Sequence, residues 1–216
     1  MSQAPGHSEG LSLKLSEVLS DIGVNDRTIL KRRRMVLLKE PVLNIQTILT
    51  GVNCSVTTYI FGSQVEGSTT QGLKSDLDVL YMDNDWNVIQ DWSMWQPRMK
   101  NLLMIRDETT SPGYCLLQYL KADEPSPCTC DGHRTMKGFF ADGRGRTLLK
   151  NSYNIGRMKK GYVINGPAHT FPACNNFSAA DNVIAYQCKS WPKEAQLWLS
   201  KQGIGGWPTD GNKEIL

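Results

Sequence analysis

The stretch Tyr59-Ile60-Phe61-Gly62-Ser63-Gln64-Val65-Glu66-Gly67 decides how this chain is read. Its apolar head closes a run, Val56 to Phe61, rich in Thr, Tyr and Val, the composition of a β-strand. Gly62 and Ser63 end that strand at once. Ser63 and Glu66 stand at capping-box spacing, which predicts a helix opening at Ser63. The first turn of a helix leaves N–H groups free and carries partial positive charge. With Gly62 letting the backbone come close, Gly62 and Ser63 make a seat for a phosphate. Taken alone, the segment reads more simply as an ordinary capped helix after a strand.

Downstream, Ser75-Asp76-Leu77-Asp78-Val79-Leu80 opens a second strand, Asp76 to Met82. Alternation puts Leu77, Val79 and Tyr81 on one face and Asp76, Asp78 and Leu80 on the other. Carboxylates held together on one face repel each other unless a cation lies between them. Hard divalent ions with oxygen ligands suit that place, and Mg²⁺ takes one or two carboxylates together with substrate phosphates. An edge strand with one polar face has the same pattern, so Asp-x-Asp by itself is a weak signal.

Together the segments are more specific. A Gly-Ser turn followed, 13 residues after Ser63, by Asp-x-Asp on the next strand resembles the mark of the polymerase-beta-like nucleotidyltransferases. Within that superfamily the chain is similar to the cyclic GMP-AMP synthase-like branch, which includes the male-abnormal-twenty-one developmental proteins. The Phe61-Gly62-Ser63-x-x-Glu66-Gly67 turn and the Ser75-Asp76-x-Asp78 strand carry the resemblance. So does a downstream series: Gly166-Pro167-Ala168-His169-Thr170, then Asp181-x-Val183-x-Ala185, then Ser190-Trp191-Pro192.

The resemblance implies an α+β nucleotidyltransferase fold, with N-terminal helices, one a long spine helix, packed on a mixed twisted sheet that carries the catalytic carboxylates. It implies that Asp76, Asp78 and Asp181 are catalytic and ligate two Mg²⁺ or Mn²⁺ ions, and that Gly62 and Ser63 bind nucleotide phosphates. ATP and GTP are the implied substrates, a cyclic or linear dinucleotide the product, and nucleic-acid sensing in innate immunity the setting. The likeness covers residues 11–210, a catalytic lobe, with 211–216 as the C-terminal end. The helical C-terminal lobe of the family has no counterpart in the match. The alternative reading is therefore a non-catalytic member, or a truncated fragment, that serves as a nucleotide or nucleic-acid binding scaffold.

Before the decisive stretch the sequence reads as helices. Residues 1–10 look like a loose tail. Leu11, Leu15, Val18, Leu19 and Ile22 recur at spacings of three and four and give one apolar stripe, with Gly23 as a stop. Asn25 or Asp26 caps a second helix that carries Ile29, Leu30, Val36 and Leu37, then Val42, Ile45, Ile48 and Leu49. Pro41 predicts a kink or break in it, and Gly51 its end. This helix also holds Arg27, Lys31, Arg32, Arg33, Arg34 and Lys39. In the family that helix belongs to a platform for double-stranded RNA or DNA, which activates the enzyme through sequence-independent phosphate contacts. A solvated helix face stays open as the other reading, since four consecutive basic residues cannot all point one way.

After the decisive stretch, residues 83–113 are mixed, Tyr114 to Leu120 is a strand candidate, and 121–147 reads as a long irregular connection. Val163-Ile164 and Asp181 to Tyr186 are further strands, and Lys193 to Lys201 is a short helix capped by Gly203. Cys128-x-Cys130 with His133 is not the common spacing of a zinc knuckle and reads as surface residues, and Lys159 and Lys160 mark a turn. His169 reads as a packed or an exposed histidine rather than a site residue, and Trp191, Trp198 and Trp207 as core anchors. Helices followed by strands with little helix between them point to α+β organisation.

Composition excludes much else. The 216 residues are 40% hydrophobic and 21% charged, with a net charge of +3, which rules out a disordered or collagen-like chain. No apolar run approaches a membrane span, and Met1 to Gly10 lacks the features of a signal peptide. Six cysteines without regular spacing read as reduced thiols of a cytoplasmic protein, with the nucleus as the alternative compartment.

Overall fold

The computed structural model describes residues 5–49, 55–66, 75–129, 137–153, 163–173 and 179–200. The chain is α+β. It divides into two compact units, Met1–Asn84 with Asn154–Ala185 and Asp85–Tyr153 with Tyr186–Leu216.

The first unit opens with three helices. α1 (Pro5–Asp21) begins six residues before Leu11, so Pro5 to Gly10, read as a loose tail, is helical. Proline's fixed φ suits the first helical position. The helix ends in a Schellman arrangement: Val24 N–H donates to the Leu19 carbonyl at 2.7 Å and Gly23 N–H to the Ser20 carbonyl at 3.0 Å. Gly23 takes φ +86°, a conformation that suits glycine. Asn25 caps α2 (Asp26–Leu37), its Oδ1 accepting from Thr28 N–H at 3.0 Å. The break expected at Pro41 falls at Leu38 instead. α3 (Lys39–Leu49) holds Pro41 in its first turn, where a missing N–H costs no hydrogen bond. Gly51, the expected end of this helix, lies outside the described residues.

The sheet of this unit runs in the order β1 (Val56–Phe61), β2 (Leu77–Asp83), β10 (Ala180–Ala185), β9 (Ala168–Phe171), β8 (Val163–Asn165). β2 and β10 are parallel and the other neighbours antiparallel, so the sheet is mixed. Ile60 and Val79, partners across β1 and β2, are buried, as is Val36 of α2. β1 is an edge strand, and its edge is covered by side chains of α3. Glu40 Oε1 accepts from Ile60 N–H and Asn44 Oδ1 from Thr58 N–H, both at 2.7 Å. That closes donors a free edge would offer to another strand.

The second unit has the sheet β3 (Trp86–Ile89), β4 (Lys100–Ile105), β5 (Leu116–Tyr119), β7 (Thr147–Leu149), β6 (Phe139–Ala141), with β3 and β4 parallel and the rest antiparallel. Its core is Trp86, Val88, Leu102 and Phe139, with Tyr119, Tyr153 and Tyr186 packed on it. β3 lies in a stretch that the sequence left mixed. All four of its residues are buried, which erases the alternation that marks a half-buried strand. β6 and β7 likewise sit in or beside the stretch read as irregular, each only three residues long. α5 (Lys193–Ser200) matches the expected helix, while its proposed cap Gly203 lies outside the described residues. All six tryptophans belong to the chain segments of this second unit. Among the described residues no helix is long and apolar enough to cross a membrane.

Candidate functional site

Strand register builds the site. Phe61 is opposite Asp78, Asp78 opposite Asp181, and Asp181 opposite Thr170. Four residues of β1, β2, β10 and β9 thus form one row across the sheet, and directly opposed side chains share a face. Asp76 precedes β2, where the Leu77 N–H donates to the Ala179 carbonyl at 2.9 Å and ties the start of β2 to the residue before β10. As a result Asp76, Asp78 and Asp181 each offer one oxygen within 4.8 Å of the others. Asp76 is exposed and the other two are half-buried.

Asp78 carries the electrostatic cost of this gathering. Burial raises its carboxyl above the ordinary value, and the charges of Asp76, Asp181 and Glu66 push it up further. None of the ion pairs formed among the described residues involves the three carboxylates. Three hard oxygen donors that repel one another, with no ion-paired Lys or Arg among the described residues, form a group that could hold a metal ion.

Asp181 is oriented by Thr170, whose Oγ1 donates to Asp181 Oδ1 at 2.6 Å. Thr170 closes the Gly166-Pro167-Ala168-His169-Thr170 motif, but no spacing in one chain announces a bond between neighbouring strands. Ser75 likewise has its partners across a turn. Its Oγ lies 2.7 Å from Ser63 Oγ, and its carbonyl accepts from Gln64 Nε2 at 2.9 Å. These bonds fasten the turn after β1 to the approach into β2.

The turn itself follows the sequence expectation in outline. α4 (Ser63–Glu66) begins at Ser63, with Val65 and Glu66 N–H both donating to the Gly62 carbonyl at 3.0 Å. Gly62 has φ +77°, and a Cβ built on it would lie 1.9 Å from Asp78 Oδ2. Its backbone therefore packs directly on the carboxylate, which no other residue permits. Gly67, the last residue of the motif, is outside the described set. Gly62→Ala is expected to lower stability by about 2 kcal/mol and to displace Asp78, from the left-handed conformation and the clash together. A thermal melt and Mn²⁺ titration would check both effects; an unchanged melt with unchanged metal affinity would refute this account of Gly62.

The basic residues are brought together only in part. Arg27, Lys31 and Arg34 line one surface pocket on α2 with Leu30 and Met35, opposite buried Val36. Arg32 is half-buried and Arg33 exposed, at other points around the helix, and Lys39 is exposed at the start of α3. Elsewhere, His169 is buried in β9, which decides between the packed and exposed alternatives in favour of the first. Cys128, read as a surface residue, is half-buried, as is Trp191. Cys130, His133, Lys159, Lys160 and Trp207 lie outside the described residues, as does the 211–216 end.

No family model matches this chain, and no curated protein or solved structure matches it.

Proposed function

We infer that the first unit is a nucleotidyltransferase domain that joins ATP and GTP into a cyclic or linear dinucleotide. The observation that carries this reading is the convergence of Asp76, Asp78 and Asp181 beside the Gly62-Ser63 turn. When bound by these carboxylates, two Mg²⁺ or Mn²⁺ ions would supply charge stabilisation at the entering and leaving oxygens of an in-line displacement. Asp181, which accepts a hydrogen bond from Thr170, would take the proton of the attacking ribose hydroxyl. Ser63 and the backbone around Gly62 grip the donor's β- and γ-phosphates, and pyrophosphate leaves. The face of α2 with Arg27, Lys31 and Arg34 takes the phosphates of a double-stranded RNA or DNA activator, with Arg32, Arg33 and Lys39 completing the basic stretch.

The test is a product assay. The chain, incubated with ATP, GTP and Mg²⁺ or Mn²⁺, should yield dinucleotide by mass spectrometry, and more of it with double-stranded RNA or with DNA. Absence of product under every condition, with nucleotide or nucleic acid still bound, would instead make the chain a binding scaffold.

A further inference from the structure

On α1, Leu11, Leu15, Val18 and Ile22 follow one another at spacings of four, three and four. That is the spacing of an a/d seam, the narrow apolar stripe by which two helices pack together. Ile22 lies just past the helix but keeps its register, because its N–H donates to the Val18 carbonyl at 3.1 Å. All four side chains are at least half exposed: 60%, 59%, 57% and 51%. Leu19 beside the seam is half-buried, and Leu13 projects from the opposite side. The stripe therefore faces solvent along its whole length.

The helix has little reason to persist with that face uncovered. Its 17 residues include two glycines and four serines, all weaker helix formers than alanine or leucine. Helices of this length and composition are marginal in water unless an apolar face is packed.

The flanks of the seam say what covers it. Lys14 and Asp21 are exposed, seven residues apart, and lie along one flank. In an antiparallel pair related by a two-fold axis, Leu15 meets Val18 and Leu11 meets Ile22 of the second helix. The same alignment sets each Lys14 beside the other copy's Asp21. A parallel pair would set Lys14 near Leu19 and leave both charges without a partner. We propose that the α1 seam is a self-association surface, on which a second copy of this chain docks antiparallel through Leu11, Leu15, Val18 and Ile22, with reciprocal Lys14–Asp21 pairs. The contact is isologous, so it closes at a dimer. It is small, so association is weak and concentration-dependent.

Sedimentation velocity of the full chain over a dilution series tests this. The expected result is a monomer–dimer equilibrium. Leu15→Glu, an exposed position whose substitution leaves the fold intact, should raise the dissociation constant more than about tenfold. Lys14→Glu and Asp21→Lys should each weaken self-association, by roughly fivefold at low salt. Mixed together, these two variants should pair with each other, and the double variant should recover wild-type affinity. A monomer at every concentration up to the solubility limit would overturn the proposal. So would a dimer indifferent to Leu15→Glu, or one in which the charge swaps have no reciprocal effect.

Discussion

Asp78→Asn is expected to abolish dinucleotide synthesis, by at least about a thousandfold, while raising the thermal midpoint at neutral pH. The two effects have one origin. Asp78 is partly desolvated and surrounded by the charges of Asp76, Asp181 and Glu66, so its carboxyl binds a proton more tightly in the folded chain than in the unfolded one. For an acid raised in this way, the folded state is penalised wherever the group is ionised, and stability falls as pH rises through the folded value. Asparagine removes the penalty together with the charge. Its gain in midpoint should therefore be present at neutral pH and fade as the solution is acidified through the carboxylate range. Mg²⁺ or Mn²⁺ should stabilise the wild type at neutral pH and have much less effect on the variant, since a ligand stabilises only the state that binds it. Calorimetry across pH, with and without the metal, checks these expectations beside the product assay. Retained synthesis in Asp78→Asn would refute the proposed role of the carboxylates. Loss of synthesis with a lowered midpoint at neutral pH would refute the electrostatic account of the cluster.

Trp86→Ala should have the largest effect on stability, a loss of about 3–5 kcal/mol. Trp86 is 5% exposed, and its ring centre lies within 6.2 Å of those of Tyr119, Phe139, Tyr153 and Tyr186. The tilted and edge-on contacts are favourable arrangements for aromatic pairs, and deleting the indole leaves a void that four rings cannot fill by small shifts. A loss of that size is comparable to the whole stability of many domains. Denaturant titration followed by fluorescence of the remaining tryptophans, all in segments of the second unit, measures it. Trp86→Phe, which keeps a ring, should cost markedly less. A loss under about 1 kcal/mol for the alanine variant would show that the cluster tolerates the cavity.

Particular residues explain what the sequence disclosed. The caps were legible because their chemistry is local: Gly23 after α1 and Asn25 before α2 act within five residues of their partners. The Asp-x-Asp strand and the strand opening near Asp181 were legible because their apolar pattern is distinct. The gathering of the three carboxylates was not written in any spacing; it was expected only through a resemblance, and it arises from the parallel register of β2 and β10. β3 was hidden because burial of every residue removes alternation, and Thr170 and Ser75 because their partners stand on other strands or across a turn. The Leu38 break was misplaced by three residues because proline is tolerated in a first turn, so it marks where a helix restarts as readily as where it stops.

The parallel pairing of β2 with β10 also sets a timetable for synthesis of the chain. Asp78 and Asp181 are register partners although 103 positions separate them, and most of the second unit is translated between the two. A growing chain can pair β1 with β2 as soon as both have emerged, yet the third carboxylate waits until β10 follows. Joining contacts so distant in sequence carries a large closure entropy and slows folding. The acidic centre is thus assembled late, and a nascent chain that has emerged only as far as the end of β9 carries Asp76 and Asp78 without the carboxylate that completes the set.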